Sequence, residues 1–399
     1  MKVTRRDFIK IAGVATGGIF LLPQLEMKAF TALAETENTE KWVASGCNGC
    51  VGWCPVKVRV VNGKAVKITG NENSAWTKGK LCPRGMLNLQ ILYDPDRVKK
   101  PLKRTNPNKG RDEDPGWVEI SWEEALNTIT AKLSELRDKG TPERFALFRG
   151  RYDNLAADIF YSRFAKSYGT PNAISHSALC AETTKAGNWY ARGKYAYSAF
   201  DFEDTNYILS FGVPFLEAHR PTTGLMASWP KGKRGKGVRL KTVIVDPRYS
   251  VTASRADEWV PINPGTDGAL ALGIAHEILV NGLWDKKFVG DFKSPGKGFV
   301  AGQAVDGDDW EDAYTTGLVT WWNVFLKHFT ADKAAEETGI PADTIKRIAR
   351  EFATTKPAVT VRGRGSEAWP GSGTYNSYAI YALNGLVGSV EVKGGINHY

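Results

Sequence analysis

The sequence predicts an α/β protein: a small β-rich unit built around a metal group, followed by α/β domains with largely parallel sheets. Three observations predict it. Four of the five cysteines gather near the N-terminus, a hairpin pattern lies between the third and fourth of them, and from Phe145 onward strand-length apolar runs alternate with helical patterns.

The chain opens with an address rather than a fold. Thr4-Arg5-Arg6-Asp7-Phe8-Ile9-Lys10 is a twin-arginine pattern, Ile11 to Leu22 is a short apolar stretch, and Ala32-Leu33-Ala34 is a small-residue cleavage site. Residues 1–34 therefore read as a twin-arginine signal peptide, too short and glycine-rich for a retained span of about 20 apolar residues. Export by this route to the periplasm carries proteins already folded, typically around a cofactor inserted beforehand.

Composition sets wider bounds. With 399 residues, 42% hydrophobic and 13 Trp, the chain can bury a large core divided among more than one domain, which excludes a disordered protein. Five Lys/Arg against two Asp/Glu in residues 1–34 account for +3 of the formal +10. The mild basicity left over suits an anionic substrate or a phosphate-rich cofactor, and no basic helix or single-strand platform points to nucleic acid.

The first folded unit is expected over residues 41–100. Val56 to Val61 alternates, Asn62-Gly63 makes a two-residue turn of the primed type, and Lys64 to Thr69 alternates back. A hairpin folds its ends together, so Cys82 is carried towards Cys47, Cys50 and Cys54. A polar linker follows from Arg104 to Pro115. Then comes a helix opened by the capping box Ser121-x-x-Glu124, with Trp122, Leu126, Ile129, Leu133 and Leu136 on one face.

The remainder, 101–399, alternates. Phe145 to Phe148 reads as a strand, Asn154 to Ser167 as a helix, Tyr207 to Phe211 and Thr242 to Val245 as strands, and Asp267 to Asn281 as a helix. Such sheets bind ligands beyond the carboxyl ends of their strands, here the loops Phe211-Gly212-Val213-Pro214 and Asp246-Pro247-Arg248.

Cys47-x2-Cys50-x3-Cys54-x27-Cys82 can hold an iron–sulfur cluster, zinc or two disulfides. Structural zinc usually shows two CxxC-like pairs, and thiolates occupied before export would escape oxidation. A [4Fe-4S] cluster is the expected occupant, with zinc and disulfides as alternatives.

Together with Cys82-Pro-Arg-Gly, Val245-Asp246-Pro247-Arg248 and Pro264-Gly265-Thr266-Asp267, this spacing resembles the dimethyl-sulfoxide-reductase family of molybdenum or tungsten enzymes, which bind two molybdopterin guanine dinucleotides. The resemblance implies an N-terminal [4Fe-4S] domain and α/β domains wrapping the pterins. It places Arg84 between cluster and pterin, Gly212 and Arg248 at the cofactor, and Asp246 and Asp267 at its guanosine ends. It also makes Cys180 the protein ligand to molybdenum, a soft thiolate on a metal already bound by sulfur. Family subunits run to about twice this length, so the C-terminal pterin-capping domain is expected to be absent from these 399 residues, whether as a separate polypeptide, cut away or lost. An inactive half-chain or a cluster-bearing electron carrier is then the non-enzyme alternative.

Within the family, Arg149-Gly150-Arg151-Tyr152, Ser175-His176-Ser177 and the segment from Lys103 to Pro115 look most like the catalytic subunit of respiratory arsenate reductase. That resemblance places Arg151, Tyr152, His176, Lys185 and Tyr197 around a bound oxyanion, where cations and hydroxyls neutralise charge and a His supplies protons. It implies reduction of a small oxyanion with electrons passed through the cluster. The partners it allows for are an iron–sulfur electron-transfer subunit and a membrane anchor subunit. Polysulfide, thiosulfate or tetrathionate reduction and arsenite oxidation are the alternatives. One residue departs from the pattern: Ser177 stands where the arsenate enzyme has a Lys, which removes a positive charge from the pocket.

Overall fold

Three antiparallel strands open the folded chain, β1 (Glu40–Gly46), β2 (Pro55–Val61) and β3 (Lys64–Gly70). The computed structural model describes residues 39–50, 52–150, 163–219, 222–234, 237–367 and 371–398. The β2–β3 hairpin is the expected one, with φ of 49° at Asn62 and 77° at Gly63, the left-handed pair that a primed turn requires. β1 was not foreseen, because its residues are all exposed and show no apolar alternation. The buried cluster here is small: Cys47, Cys54 and Val56, with Val58, Ile68 and Leu81 packed against it. So small a core needs a further source of stability, and bound metal is the usual one.

Beyond the fourth cysteine, Cys82 caps the short helix α1 (Pro83–Met86), started by proline at its first position. The polar stretch expected as a linker is the loop of a second hairpin, β4 (Leu102–Arg104) with β5 (Trp117–Glu119). Thr105 Oγ1 donates to the Gly116 carbonyl at 2.7 Å and pins the loop, a local closure that polarity alone does not announce. α2 (Trp122–Asp138) starts where expected, with the Ser121 hydroxyl accepting from Glu124 N at 3.0 Å. Its apolar face does not pack as expected: Trp122, Leu126 and Ile129 are all more than half exposed. Periodicity marks a sticky face but not what covers it.

The strand expected over Phe145 to Phe148 is shifted to β6 (Leu147–Arg149), since Pro142–Arg144 forms a 3-10 turn that delays it. β6 runs parallel to β7 (Ala173–Ser175), with Arg149 opposite Ser175. Of the helix expected from Asn154, residues 163–168 are helical and the earlier part lies outside the described residues. α3 (Glu182–Arg192) follows and ends on left-handed Gly193.

The main sheet is parallel. It comprises β8 (Tyr207–Phe211), β9 (Lys241–Val245), β10 (Glu258–Val260) and β11 (Ala358–Arg362), in the spatial order β10-β9-β8-β11. Between these strands run α4 (Thr222–Arg234), α5 (Asp267–Val280) and α6 (Ala342–Thr354), and α7 (Gly373–Leu386) follows the last strand. Both faces are covered: Leu209, Phe211 and Val243 pack with Leu270, Ile274, Ile348 and Ile380, whereas Ile208, Ile244 and Val359 pack with Phe202, Phe215 and Leu225. Neighbouring residues of one strand thus enter opposite cores, each buried Ile or Leu contributing about 1.5–3 kcal/mol. No helix of the described residues is long and apolar enough to cross a membrane.

Candidate active site

Strand order decides where a ligand can sit. The first and last strands of the sheet, β8 and β11, lie side by side while the chain winds outward through β9 and β10 on the other flank. The chain therefore diverges between β8 and β11, and a crevice opens beyond their carboxyl ends. Gly212 and Gly363 line its floor: Gly363 N donates to Phe211 O at 2.6 Å, and a Cβ at Gly363 would lie 2.0 Å from the Gly212 carbonyl. At Gly212, with φ of 61°, a Cβ would meet nothing within 4 Å, so bare backbone faces open space.

The acids foreseen for the guanosine ends gather beside this crevice. Asp246 caps the end of β9, accepting from Arg248 N at 2.8 Å. Arg248 itself reaches away to Glu217 at 3.2 Å. Asp267 is the first residue of α5 and is 5% exposed. Burial pushes its carboxyl up to about 6, against a backbone hydrogen bond, and the charges of Asp246 and Glu367 push the same way. A desolvated carboxylate among other acids is set to receive hydrogen-bond donors, which is what the N–H edge of a guanine offers.

Sequence reasoning missed the buried network behind it. The Arg362 guanidinium, 9% exposed at the end of β11, pairs with the Glu367 carboxylate, 2% exposed, and with the Tyr381 hydroxyl. Thr184 on α3 donates to Glu367, and Ser377 Oγ on α7 lies 3.4 Å from the same carboxylate. Arg362 Nε is buried without a partner among the described residues, an orphaned donor of the kind a bound cofactor's oxygen can satisfy. Arg-Gly-Arg-Gly-Ser-Glu was visible in the sequence as a glycine-rich stretch, but nothing marked Glu367 as buried.

Cys180 lies two residues before α3, half-buried and free. The parallel β6–β7 pair delivers the other candidates. His176 follows β7 directly, its N–H donating to Arg149 O at 3.2 Å and its Nδ1 lying 2.9 Å from Gly150 O. A carbonyl only accepts, so Nδ1 carries the proton and Nε2 is left as the atom that exchanges one. Arg151 and Tyr152 continue from Gly150 and lie outside the described residues. Lys185, on α3, is held by Glu182 at 2.9 Å and lies over the Tyr195 ring at 5.6 Å. Burial works against the charge of Glu182, yet hydrogen bonds from Tyr195 and Lys185 hold its carboxyl below the usual range. Tyr195, a residue that sequence reasoning did not single out, also meets this group through Glu182; Tyr197 is half-buried just before the short strand Ser198–Phe200.

The four N-terminal cysteines are all free thiols, which sets the disulfide alternative aside. Burial pushes the Cys54 thiol up, and Cys47, Cys50 and Cys82 each add to the push. Their sulfurs are met by donors: Asn88 Nδ2 to Cys47 at 3.3 Å, Gly52 N to Cys50 at 3.3 Å, and Thr223 Oγ1 3.2 Å from Cys54. Among the described residues no three His, Cys, Asp or Glu are grouped to hold one metal ion. Three of the four sulfurs meet a hydrogen-bond partner, a setting that suits a cluster, whose ligand sulfurs accept such bonds. Arg84 stands exposed on α1, beside this loop.

Two family models match the chain in succession, the molybdopterin oxidoreductase Fe4S4 domain over residues 40–94 and molybdopterin oxidoreductase over residues 97–399. This chain belongs to the molybdopterin oxidoreductase family. As in the rest of the family, a [4Fe-4S] cluster and a molybdenum-bearing molybdopterin are its cofactors, and the donor sets above fit both.

Among similar members is the arsenate respiratory reductase molybdopterin-containing subunit of Shewanella sp. strain ANA-3, 42% identical over 98% of this chain and 46% of the relative. The thiosulfate reductase molybdopterin-containing subunit of Salmonella typhimurium is 29% identical over 99% of this chain and 48% of its own. Of solved structures, acetylene hydratase from Pelobacter acetylenicus superposes with a TM-score of 0.70 at 26% identity, covering 88% of this chain and 44% of that one. The chain spans about half the length of the relatives it matches. Three such proteins named for three different reactions leave the substrate to the pocket rather than to the fold.

Proposed function

We propose that the chain forms the cluster-bearing, cofactor-binding part of an exported molybdenum enzyme that reduces an oxyanion, arsenate first among candidates. Electrons would come from an iron–sulfur partner subunit on the periplasmic side of the membrane. The observation that carries this reading is the β6–β7 pairing, which sets His176 against Gly150 in the segment that leads to Cys180. The 42% identity to an arsenate respiratory reductase subunit supports it.

When bound, the cofactors supply two-electron oxygen-atom exchange at molybdenum and single electrons at the cluster. The chain's own residues do the rest. Cys180 would hold the metal, Arg151 and Lys185 would neutralise the anion, Tyr152 and Tyr197 would donate hydroxyls, and His176 would deliver protons from Nε2. Asp246, Asp267 and Gly212, with Arg248 nearby, would seat the nucleotide end, and Arg84 would lie between cluster and pterin.

A second reading has an observation of its own. Lys185 is neutralised by Glu182, and Ser177 stands in place of a Lys, so the pocket carries less positive charge than a dianion favours. Thiosulfate, polysulfide or tetrathionate reduction, with or without arsenate, would tolerate that loss better.

The deciding experiment is reduction of arsenate by the full-length enzyme with a reduced dye as donor, compared with tetrathionate and thiosulfate. Arg151→Ala removes one charge-assisted contact of about 2–3 kcal/mol, so roughly 30- to 150-fold of catalytic efficiency should go while iron content stays. An enzyme that ignores arsenate and reduces a sulfur oxyanion would overturn the arsenate reading and leave the family intact.

A further inference from the structure

Among the described residues, Cys54 is the one cysteine of the four whose sulfur is met from outside its own unit. Gly52 and Asn88, which serve Cys50 and Cys47, belong to the N-terminal unit itself. Thr223 comes from α4, 169 positions away, and brings its Oγ1 to 3.2 Å from Cys54 Sγ, with both residues only 6% exposed. In a bare protein either atom can donate. Once the sulfur is a metal-bound thiolate it has no proton, and the hydroxyl must be the donor.

A hydroxyl in the first turn of a helix often bonds to nearby backbone, and that would make Thr223 a merely structural residue. Its hydrogen bond goes instead to the sulfur. The geometry is also braced. Lys78, in the N-terminal unit, pairs with Glu203, which Lys231 of α4 also reaches at 3.3 Å and Ser228 of α4 at 3.3 Å. The ion pairs therefore seat the cluster-bearing unit on the same helix that carries Thr223.

We propose that Thr223 sets the reduction potential of the cluster from the α/β domain, by donating a hydrogen bond to the Cys54 thiolate. One-electron reduction adds negative charge that spreads onto the ligand sulfurs, so a fixed donor stabilises the reduced form more than the oxidised one. Burial strengthens the effect. Because donor and acceptor lie on different units, the potential is tied to their seating: the cluster is easier to reduce when docked against α4 than when displaced from it. This rests on the cluster assignment of Cys47, Cys50, Cys54 and Cys82.

The test is a dithionite titration of the cofactor-loaded enzyme, followed by the electron paramagnetic resonance signal of the reduced cluster. Thr223→Val keeps shape and removes the donor. At the parent's midpoint its reduced-to-oxidised ratio should fall about tenfold, which for a one-electron couple is about 59 mV towards more negative potential. Thr223→Ser should titrate like the parent. A Val variant that keeps its iron and titrates like the parent overturns the proposal. Should the Val variant fail to load, proton hyperfine couplings of the reduced parent decide: a deuterium-exchangeable proton near the cluster, retained in Thr223→Ser, upholds the bond, and its absence overturns it. Loss of iron from the parent itself would instead count against the cluster assignment.

Discussion

Glu367 and Arg362 form an ion pair sealed inside the protein at the mouth of the crevice between β8 and β11, the carboxylate 2% exposed and the guanidinium 9%. Through Thr184 the pair reaches α3, which begins two residues after Cys180, and through Ser377 it reaches α7. α3 and α7 approach closely enough that a Cβ on Gly187 would lie 2.4 Å from Ser377. The helix behind the candidate metal ligand is thus tied to the strand end that floors the cofactor crevice.

Removing one partner of this pair leaves the other charged and buried. Glu367→Ala is expected to destabilise the protein by about 3–5 kcal/mol, and Arg362→Ala by a similar amount. Thr184→Val, which removes one hydroxyl and leaves the pair intact, should cost only about 1 kcal/mol. Thermal unfolding of the three variants checks the order, and equal losses would show that the ion pair is not the stabilising element.

Asp267 makes stability depend on pH in a defined direction. Its carboxyl is raised from 3.8 to about 6 in the fold, so the folded state holds its proton longer than the unfolded chain does. That contribution is complete below pH ~4 and is lost as pH rises through 6, about 2–3 kcal/mol in all. In cofactor-free protein, Asp267→Asn should therefore raise stability at pH 7 and flatten the profile between pH 4 and 6. The same variant should retain molybdopterin less well. An unchanged profile in urea titrations at several pH values would refute the assignment of the shift to this carboxyl.

Cys180→Ala is expected to keep iron at the parent level and to abolish turnover, because it touches neither the four N-terminal thiols nor the buried network. Metal analysis alongside dye-linked assays separates the two effects. Parent-level activity would make Cys180 a structural residue.

Glu182 holds Lys185 at 2.9 Å, so its charge competes with any anion for the same ammonium group. Glu182→Gln should tighten oxyanion binding several-fold, seen as a lower KM or inhibition constant, and Lys185→Ala should weaken it. If Glu182→Gln loosens binding instead, the carboxylate orients Lys185 towards the anion rather than competing with it.

Much of the fold was legible because local chemistry decides it. The Asn62-Gly63 turn and the Ser121 cap form as read, since each rests on backbone conformation or on a residue three positions away, and the strand Tyr207–Phe211 is marked by its own short run of strand-forming residues. β1, β11 and the loop closure between β4 and β5 were not read, because each depends on a partner distant in sequence. Among site residues, the cysteines and Asp267 announce themselves by spacing and motif. Glu182, Thr184, Thr223 and Glu367 are ordinary residue types that carry no mark until folding sets them against Lys185, Glu367, Cys54 and Arg362.

By itself the sequence determined the residue types available to the chemistry: four thiols at cluster spacing, a fifth cysteine further on, and acids in short turn motifs, since residue identity and short-range spacing are covalent properties. Only the tertiary structure decided which strands diverge to open the crevice, which carboxylate is buried beside Arg362, and which hydroxyl meets Cys54. The last of these joins residues 169 positions apart, and such meetings come from packing elements together rather than from any local preference.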